Sequence, residues 1–445
     1  MVGRHVIQAV FCLLIIFIVQ GTSYPVECDN LLDSRVIQRE FIVYSGESSH
    51  IDKNSSKSEP DQDTVIIARN PLNRIIYSVL VYCIPVLCGV LSYKLSKYFM
   101  QLSKSFGVDF HKKEKVKLPE SIGLASAISF VFGIFLFSLF FPNHKESLLI
   151  FSNTVILNTL LGYVDDTVEL SWSCKFLFPA LSILPLFITY TGSTYMCIPL
   201  YGIVNLGWLL YVFLFALGVY FTNAINILSG INGVECGQVL VLSGMISLDR
   251  CLFSDEKSLL SGLMGFSLFM SSFGLFLWNK YPARCFVGDV FCYFSGSSLL
   301  CIGLFGGFIK TLFLFLFPQL FNFVFSMPQL MKIIPCPRHR MPSVIYTESS
   351  DALIVPSVVS LESKFLKSRI VYGVIKLYRI LGLISYTEGN GRVEVSNFTI
   401  LNAILVRTGP IHEETLFKIY CTMQFIVCAL VILAKCYFYS YSWGS

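Results

Sequence analysis

Charge is scarce in this chain. Of its 445 residues only 14% are Asp, Glu, Lys or Arg, 54% are hydrophobic, and the mean hydropathy is +0.67. That balance excludes a soluble globular enzyme and gives no basic surface for nucleic acid, so no nucleic-acid partner is expected. Histidine is also sparse, and the fifteen Cys contain no C-x-x-C pair. A zinc or disulfide framework is therefore not legible. Most Cys fall inside apolar runs, where cysteine is a small buried residue. No internal repeat is evident.

Long apolar runs are what the chain does have. They lie near 75–99, 121–141, 148–165, 174–191, 204–222, 236–253, 258–278, 291–309, 311–330 and 416–440. Each approaches the ~20 residues a helix needs to cross ~30 Å of hydrocarbon. The sequence predicts an all-α polytopic membrane protein of about ten transmembrane helices, with a small mixed cytosolic insertion before the last. Residues 1–23 read as a signal segment: Arg4 and His5, an apolar core from Val10 to Val19, then Gly21-Thr22-Ser23 at a cleavage site, an uncleaved anchor being the alternative. Residues 24–70 form a polar lumenal tail with a sequon at Asn54. Residues 71–330 make a nine-helix catalytic core, 331–415 a cytosolic substrate-binding insertion, and 416–445 the last helix with a short lumenal tail.

The short loops set orientation. Lys104, Lys112, Lys113, Lys115 and Lys117 crowd the loop 100–120, and Lys and Arg recur through 331–415. These loops are expected in the cytosol. With ten spans, every conspicuous polar cluster then shares that face: Pro119-Glu120-Ser121, Gly162 to Asp166 with Lys175, the stretch from Asn223 to Gly233, Phe286 to Asp289, and Pro335 to Arg340. A second sequon, Asn397-Phe398-Thr399, also falls there, so Asn54 is the expected glycan acceptor and Asn397 is not.

Each cluster also has a plain reading. Asp165 and Asp166 end an apolar run, where acids can merely mark a helix end. Asp289 starts a span, a place the helix dipole favours for an acid. Asn226 alone would serve helix packing. Together, Asn226 and Asp289 supply one neutral and one anionic oxygen, a donor set suited to Mg2+, which takes few protein ligands. Arg338-His339-Arg340 lies between prolines, and arginine forks match phosphate oxygens. The lysines of 112–117 read as a headgroup or orientation feature, and His144 and His412 as structural. Acids, amides and arginines on one face suggest a nucleotide-diphosphate substrate, and the membrane a lipid acceptor.

The motifs LPES, LGYVDDTVELSW, TNAINILSGINGVECGQ, FVGDVFCYFSG, PQLFNF, IIPCPRHRMP, NFTILN and GPIHEE together resemble the polyprenyl-phosphate N-acetylhexosamine-1-phosphate transferases, in their eukaryotic form. The resemblance runs from about residue 75 to the C-terminus. It implies transfer of N-acetylglucosamine 1-phosphate from UDP-GlcNAc to dolichyl phosphate with release of UMP, in the endoplasmic reticulum membrane, and sensitivity to tunicamycin. It leaves a homodimer open. Carried over by motif, Asn226 and Asp289 would bind Mg2+. Gly230 and Phe286 would sandwich the uracil, Asn232 would hydrogen-bond it, and Phe110 would add a backbone contact. Arg338 would hold the diphosphate, and His339, Arg340 and Glu120 would surround the sugar. Lys175, Asp165 and Asp166 would line the transfer site, with Trp172 along the dolichyl groove. The chain departs from the pattern at Glu169 and at Ser171 to Cys174, where neighbouring positive charge is lost. Direct attack by the lipid phosphate is the favoured route, with a covalent intermediate on an Asp such as Asp165 as its rival. A nucleotide-sugar transporter and a catalytically silent member are the alternative functions.

Overall fold

The computed structural model describes residues 71–443, apart from 110–115, 169, 189–193, 199–201, 253–255, 338, 347–351, 363–367, and 390–391. The expected signal segment, polar tail and Asn54 sequon lie outside the described residues, as do Phe110, Glu169, Arg338 and the side chain of Trp172.

All ten apolar runs are helical. They form α1 (Pro71–Leu102), α2 (Gly123–Phe140), α3 (Lys145–Val168), α4 (Trp172–Ile188), α5 (Trp208–Ile227), α6 (Val234–Arg250), α7 (Glu256–Asn279) and α8 (Gly288–Phe305). The ninth run is split into α9 (Ile309–Phe315) and α10 (Phe317–Leu330). In hydrocarbon, a helix satisfies its own backbone polar groups, which is why the runs adopt no other form. Against the ten spans expected, seven helices among the described residues are long and apolar enough to cross a membrane, or eight if the α9–α10 pair, bent by 63°, is one span. Helices α4 and α6 are shorter, at 17 residues each. Their rise is about 26 Å at 1.5 Å per residue.

Helix α8 is the centre of the bundle. Every residue from Val290 to Gly303 is buried, and α2, α3, α5 and α7 pack around it. Two glycines permit that density. A Cβ on Gly162 of α3 would lie 2.5 Å from the Val290 Cα, and one on Gly296 would collide with the Phe221 carbonyl of α5. Serines on α8 turn their hydroxyls back onto the helix, as Ser295 does to the Phe291 carbonyl (2.7 Å) and Ser298 to that of Phe294 (2.8 Å). They stay small without leaving a donor unpaired.

A buried amide network ties the site end of the bundle together. Gln319 of α10 donates to Gln238 of α6 (3.0 Å) and lies 2.9 Å from the Gln424 oxygen. Gln424 donates in turn to the Phe315 carbonyl at the α9–α10 break (2.7 Å). At the other end of α6, Asp249 accepts from Lys435 (2.8 Å), which fixes the last helix there.

Residues beyond α10 build the mixed α/β insertion. Strands β1 (Phe106–Val108) with β2 (Lys117–Pro119) and β3 (Tyr195–Ile198) with β4 (Gly202–Asn205) are short hairpins in the loops of the bundle. In the insertion, β5 (Ser343–Tyr346) pairs with β6 (Ala352–Val355), and β7 (Val358–Glu362), β9 (Arg392–Ser396) and β8 (Tyr386–Gly389) form a three-stranded antiparallel sheet in the order β7-β9-β8. Helix α11 (Arg369–Ile380) covers it through Val371 and Ile375, whose cluster includes Phe325 of α10. Helix α12 (Ile400–Thr408) leads into the last helix, α13 (Glu413–Trp443). Asn397 is buried, donating to Ser357 (2.9 Å) and accepting from Gln329 (2.8 Å), so its amide is engaged in the folded protein.

The glycine contacts give opposite expectations at two sites. Gly296→Ala forces α5 and α8 apart and should cost about 1–3 kcal/mol. Gly373→Ala, inside α11 with nothing within 4 Å, should stabilise by about 0.5–1 kcal/mol. Thermal unfolding of the purified protein in detergent checks both signs.

Candidate active site

Helix α5 ends at Ile227, and the chain crosses to α6 through a short loop. Gly230 (φ +114°) and Gly233 (φ +83°) occupy the left-handed region, which a side chain would strain. Such a loop inside a protein must find partners for its backbone. The Leu228 carbonyl accepts from Gln238 (2.9 Å), and the Ile227 carbonyl from Asn322 (3.1 Å). The Gly230 N–H donates to Glu235 (3.3 Å) and the Asn232 N–H to Glu413 (2.6 Å). The Asn232 side chain donates to Asp109 (3.3 Å). Side chains from α6, α10, α13 and the β1–β2 loop therefore hold one six-residue turn.

This turn floors a cavity of about 290 Å3. Gly107, Asp109 and Glu120 come from the β1–β2 region, Asn226 from α5, Gly230 and Asn232 from the turn, Phe286 and Asp289 from the entry to α8, and Met341 from the insertion. The Phe286 ring lies against Gly107, where a Cβ would come within 2.9 Å of it. Burial raises the Glu120 pKa above its ordinary value. The Asn226 side chain makes no hydrogen bond among the described residues, which leaves its oxygen available to a ligand.

Asp289 sits in the first turn of α8, where its own N–H and that of Val290 lack helical acceptors. Asp166 of α3 supplies both: one oxygen accepts from Asp289 (2.6 Å), the other from Val290 (3.3 Å). It caps α8 from a neighbouring helix and fixes where the Asp289 carboxylate stands. Lys175 lies 2.7 Å from Asp165 and 3.7 Å from Asp289. Asp165 also accepts from the Leu170 N–H (2.9 Å) and the Tyr293 hydroxyl (3.2 Å). Two carboxylates, Asp165 and Asp289, thus face one ammonium, a formal excess of negative charge that a bound cation would offset.

No three His, Cys, Asp or Glu side chains among the described residues form a metal cage. Among the several amides and carboxylates that line the cavity are Asn226 and Asp289, one neutral and one anionic oxygen donor. That set fits a hard ion completed by phosphate and water oxygens, not zinc.

The structure brings Glu120, Asn226, Gly230, Asn232, Phe286 and Asp289 to one cavity. Asp165, Asp166 and Lys175 stand behind Asp289 rather than in the lining. His339 is exposed and Arg340 half-buried on the loop that precedes Met341. The Arg340 carbonyl accepts from Asn402 (3.0 Å), which fastens this loop to α12. One guanidinium nitrogen, Nη1, is buried with no acceptor among the described residues, and burial lowers the arginine pKa. His144 packs edge-on against Phe305 and His412 against Tyr281, as expected of structural residues.

Asp109, Glu235 and Glu413 were not legible as site residues. Asp109 adjoins the lysine run, and Glu235 and Glu413 lie inside recognised motifs with no assigned role. All three accept from the Gly230–Asn232 turn, Glu235 and Glu413 from backbone N–H groups and Asp109 from the Asn232 side chain, and no residue pattern announces such partners.

The model of the glycosyl transferase family 4 matches residues 148–307, from the first turn of α3 to just past α8. The UDP-N-acetylglucosamine–dolichyl-phosphate N-acetylglucosaminephosphotransferase of Saccharomyces cerevisiae is 32% identical over 77% of this chain and 86% of its own length. The proteins of that name from Schizosaccharomyces pombe (32% identity, 74% of this chain, 86% of the relative) and Dictyostelium discoideum (29%, 74% and 81%) are similar over the same extent. The chain belongs to the UDP-N-acetylglucosamine–dolichyl-phosphate N-acetylglucosaminephosphotransferase family.

Proposed function

We propose that the protein transfers N-acetylglucosamine 1-phosphate from UDP-GlcNAc to dolichyl phosphate, giving GlcNAc-PP-dolichol and UMP, on the cytosolic face of the endoplasmic reticulum membrane. The observation that carries this reading is the continuity of the glycine–amide turn with Asp289 in one cavity, backed by the Asp165–Lys175 pair. An amide-rich end suits a base, and a charged end suits a diphosphate.

In this reading Gly230 and Phe286 flank the uracil and Asn232 hydrogen-bonds it. Glu120, His339 and Arg340 surround the sugar, where the unpaired Arg340 nitrogen offers a donor. Arg338 holds the diphosphate, Phe110 adds a backbone contact, and Trp172 borders the dolichyl chain. Asn226 and Asp289 would hold Mg2+, which when bound offsets the charge of the diphosphate. A dolichyl-phosphate oxygen attacks the sugar-linked phosphorus, the bond from that phosphorus to the bridging oxygen breaks, and UMP leaves with the electron pair. Two phosphate anions repel, and Lys175, held beside Asp289, reduces that repulsion. The nucleophile is already ionised near neutral pH, so no strong base is required. Both oxygens of Asp165 are engaged, by Leu170 on one side and Lys175 with Tyr293 on the other. This weakens it as a covalent nucleophile and supports direct attack.

Transfer of labelled sugar phosphate to dolichyl phosphate, blocked by tunicamycin, is the primary test. Asp289→Ala should lower turnover by about 10²–10³-fold, and chelation of divalent ions should abolish it. Product from folded Asp289→Ala at the wild-type rate would remove the proposed metal site. Incubation with UDP-GlcNAc alone should leave no phosphosugar on the protein by intact mass, whereas a stable adduct at Asp165 would establish the two-step route.

Glu413→Ala leaves the Asn232 N–H without its acceptor, at a cost of about 1–3 kcal/mol. The expected result is a rise of roughly 5–100-fold in the KM for UDP-GlcNAc, by the same range, with kcat little changed. An equal loss in kcat with KM unchanged would contradict a binding role for this turn.

A further inference from the structure

Helix α11 carries a second apolar face that the fold does not use. Successive residues turn by about 100°, which sorts its side chains into three stripes. Val371, Val374, Ile375 and Tyr378 face the insertion core. Arg369, Tyr372, Lys376 and Arg379 form a basic and aromatic stripe. Ile370, Gly373, Leu377 and Ile380 form the third, and its large members are exposed: Ile370 by 67%, Leu377 by 52% and Ile380 by 55%. A helix that only covers a sheet needs one apolar stripe. Here core and exposed stripes are separated on one flank by the cations.

Two observations say what meets the exposed stripe. The first is charge: from Ser368 to Thr387 the sequence holds Arg369, Lys376 and Arg379 and no Asp or Glu. The surface it complements is negative. The second is position. The Tyr378 ring lies 4.9 Å from that of Phe325, in the last two turns of α10, so the helix is fastened to the end of a membrane segment. Just beyond that end, Met331 is 64% and Ile333 37% exposed. Arg407 bonds to the Leu381 carbonyl (2.6 Å), which fixes the other end of α11. A helix held this close to a bilayer, with isoleucine and leucine outward and flanking cations, matches the design of interfacial helices.

We propose that α11 is a membrane-surface helix, its Ile370–Leu377–Ile380 stripe bedded at the headgroup–acyl boundary of an anionic leaflet, with Arg369 and Lys376 among the lipid phosphates. Arg379 stacks on the Tyr386 ring at 4.6 Å and braces the helix from the sheet side. The insertion is then seated on the bilayer at two places, α10 and α11. That restrains the loop bearing His339 and Arg340, which β5, β7 and α12 connect to the same unit.

The test uses the full chain in nanodiscs of phosphatidylcholine, with or without phosphatidylserine. A photoreactive phenylalanine analogue is placed at Leu377, at Ile370 and, as control, at Glu394 on the exposed side of β9. Intact mass after irradiation reads what each position touches. Lipid adducts at 377 and 370 but not at 394 are expected. Their yield should rise with phosphatidylserine, and Arg369→Gln with Lys376→Gln should reduce that rise by about fivefold per cation. Yields at 377 and 370 no higher than at 394 would overturn the proposal. So would crosslinks to a second copy of the chain, which would assign the stripe to self-association. Position 370 gives the same reading should the substitution at 377 unfold the protein.

Discussion

The contact on which the site depends is the capping of α8 by Asp166. The N-terminus of a helix offers unpaired N–H groups and a positive dipole end, and in the middle of a bundle both need an anion. Asp166 provides it from α3, with one oxygen on Asp289 and the other on Val290. Gly162, one turn earlier on α3, makes the approach sterically feasible, because any side chain there would strike the α8 backbone. The two adjacent acids consequently do different work. Asp166 orients α8, and Asp165 anchors Lys175 beside Asp289.

The opposite wall of the cavity solves a related problem by other means. The turn from Leu228 to Gly233 leaves its backbone groups outside any regular ladder, and amide and carboxylate side chains from three helices take them up. Gln238 and Asn322 take the carbonyl side, Glu235 and Glu413 the N–H side. Since Gln238 also belongs to the network that closes the α9–α10 break, the turn and the bent helix share one set of hydrogen bonds. In a low-dielectric interior such a network is rigid when satisfied and costly when cut. A site that must receive a flexible dinucleotide-like anion is thereby built on fixed walls.

The insertion brings a third layer to this arrangement. Asn402 and Ser357 hold the carbonyl of Arg340, and Met341 of the same loop reaches the cavity. The buried, unpaired guanidinium nitrogen of Arg340 is a donor awaiting an acceptor, since desolvating such a group without a partner is unfavourable. The β7-β9-β8 sheet and α11 carry that loop, and their core merges with Phe325 of α10. The loop that bears Arg340 and Met341 is thus as firmly mounted as the cavity residues within the bundle.

Much of this could be read from residue order. The apolar runs determined the helices, because hydrocarbon admits few other backbone forms. The motifs determined the family and brought Glu120, Asn226, Gly230, Asn232, Phe286 and Asp289 forward as neighbours. What the sequence could not supply was the division of labour among its acids. Asp165 and Asp166 are identical residues one position apart, and successive helical side chains point about 100° apart, so only packing against α4 and α8 decides that one meets a lysine and the other a helix end. Glu235 and Glu413 escaped notice because a backbone N–H has no sequence signature, and Asp109 because its partner, the Asn232 side chain, lies far along the chain. The break between α9 and α10 was hidden inside a continuous apolar run, where hydropathy reports solubility in lipid and is blind to direction. The sequence by itself determined which segments are apolar helices and which polar residues gather at their ends. The tertiary structure decided which carboxylate orients the helix, which holds the turn and which is left to line the cavity, because those places follow from contacts between segments far apart in the chain.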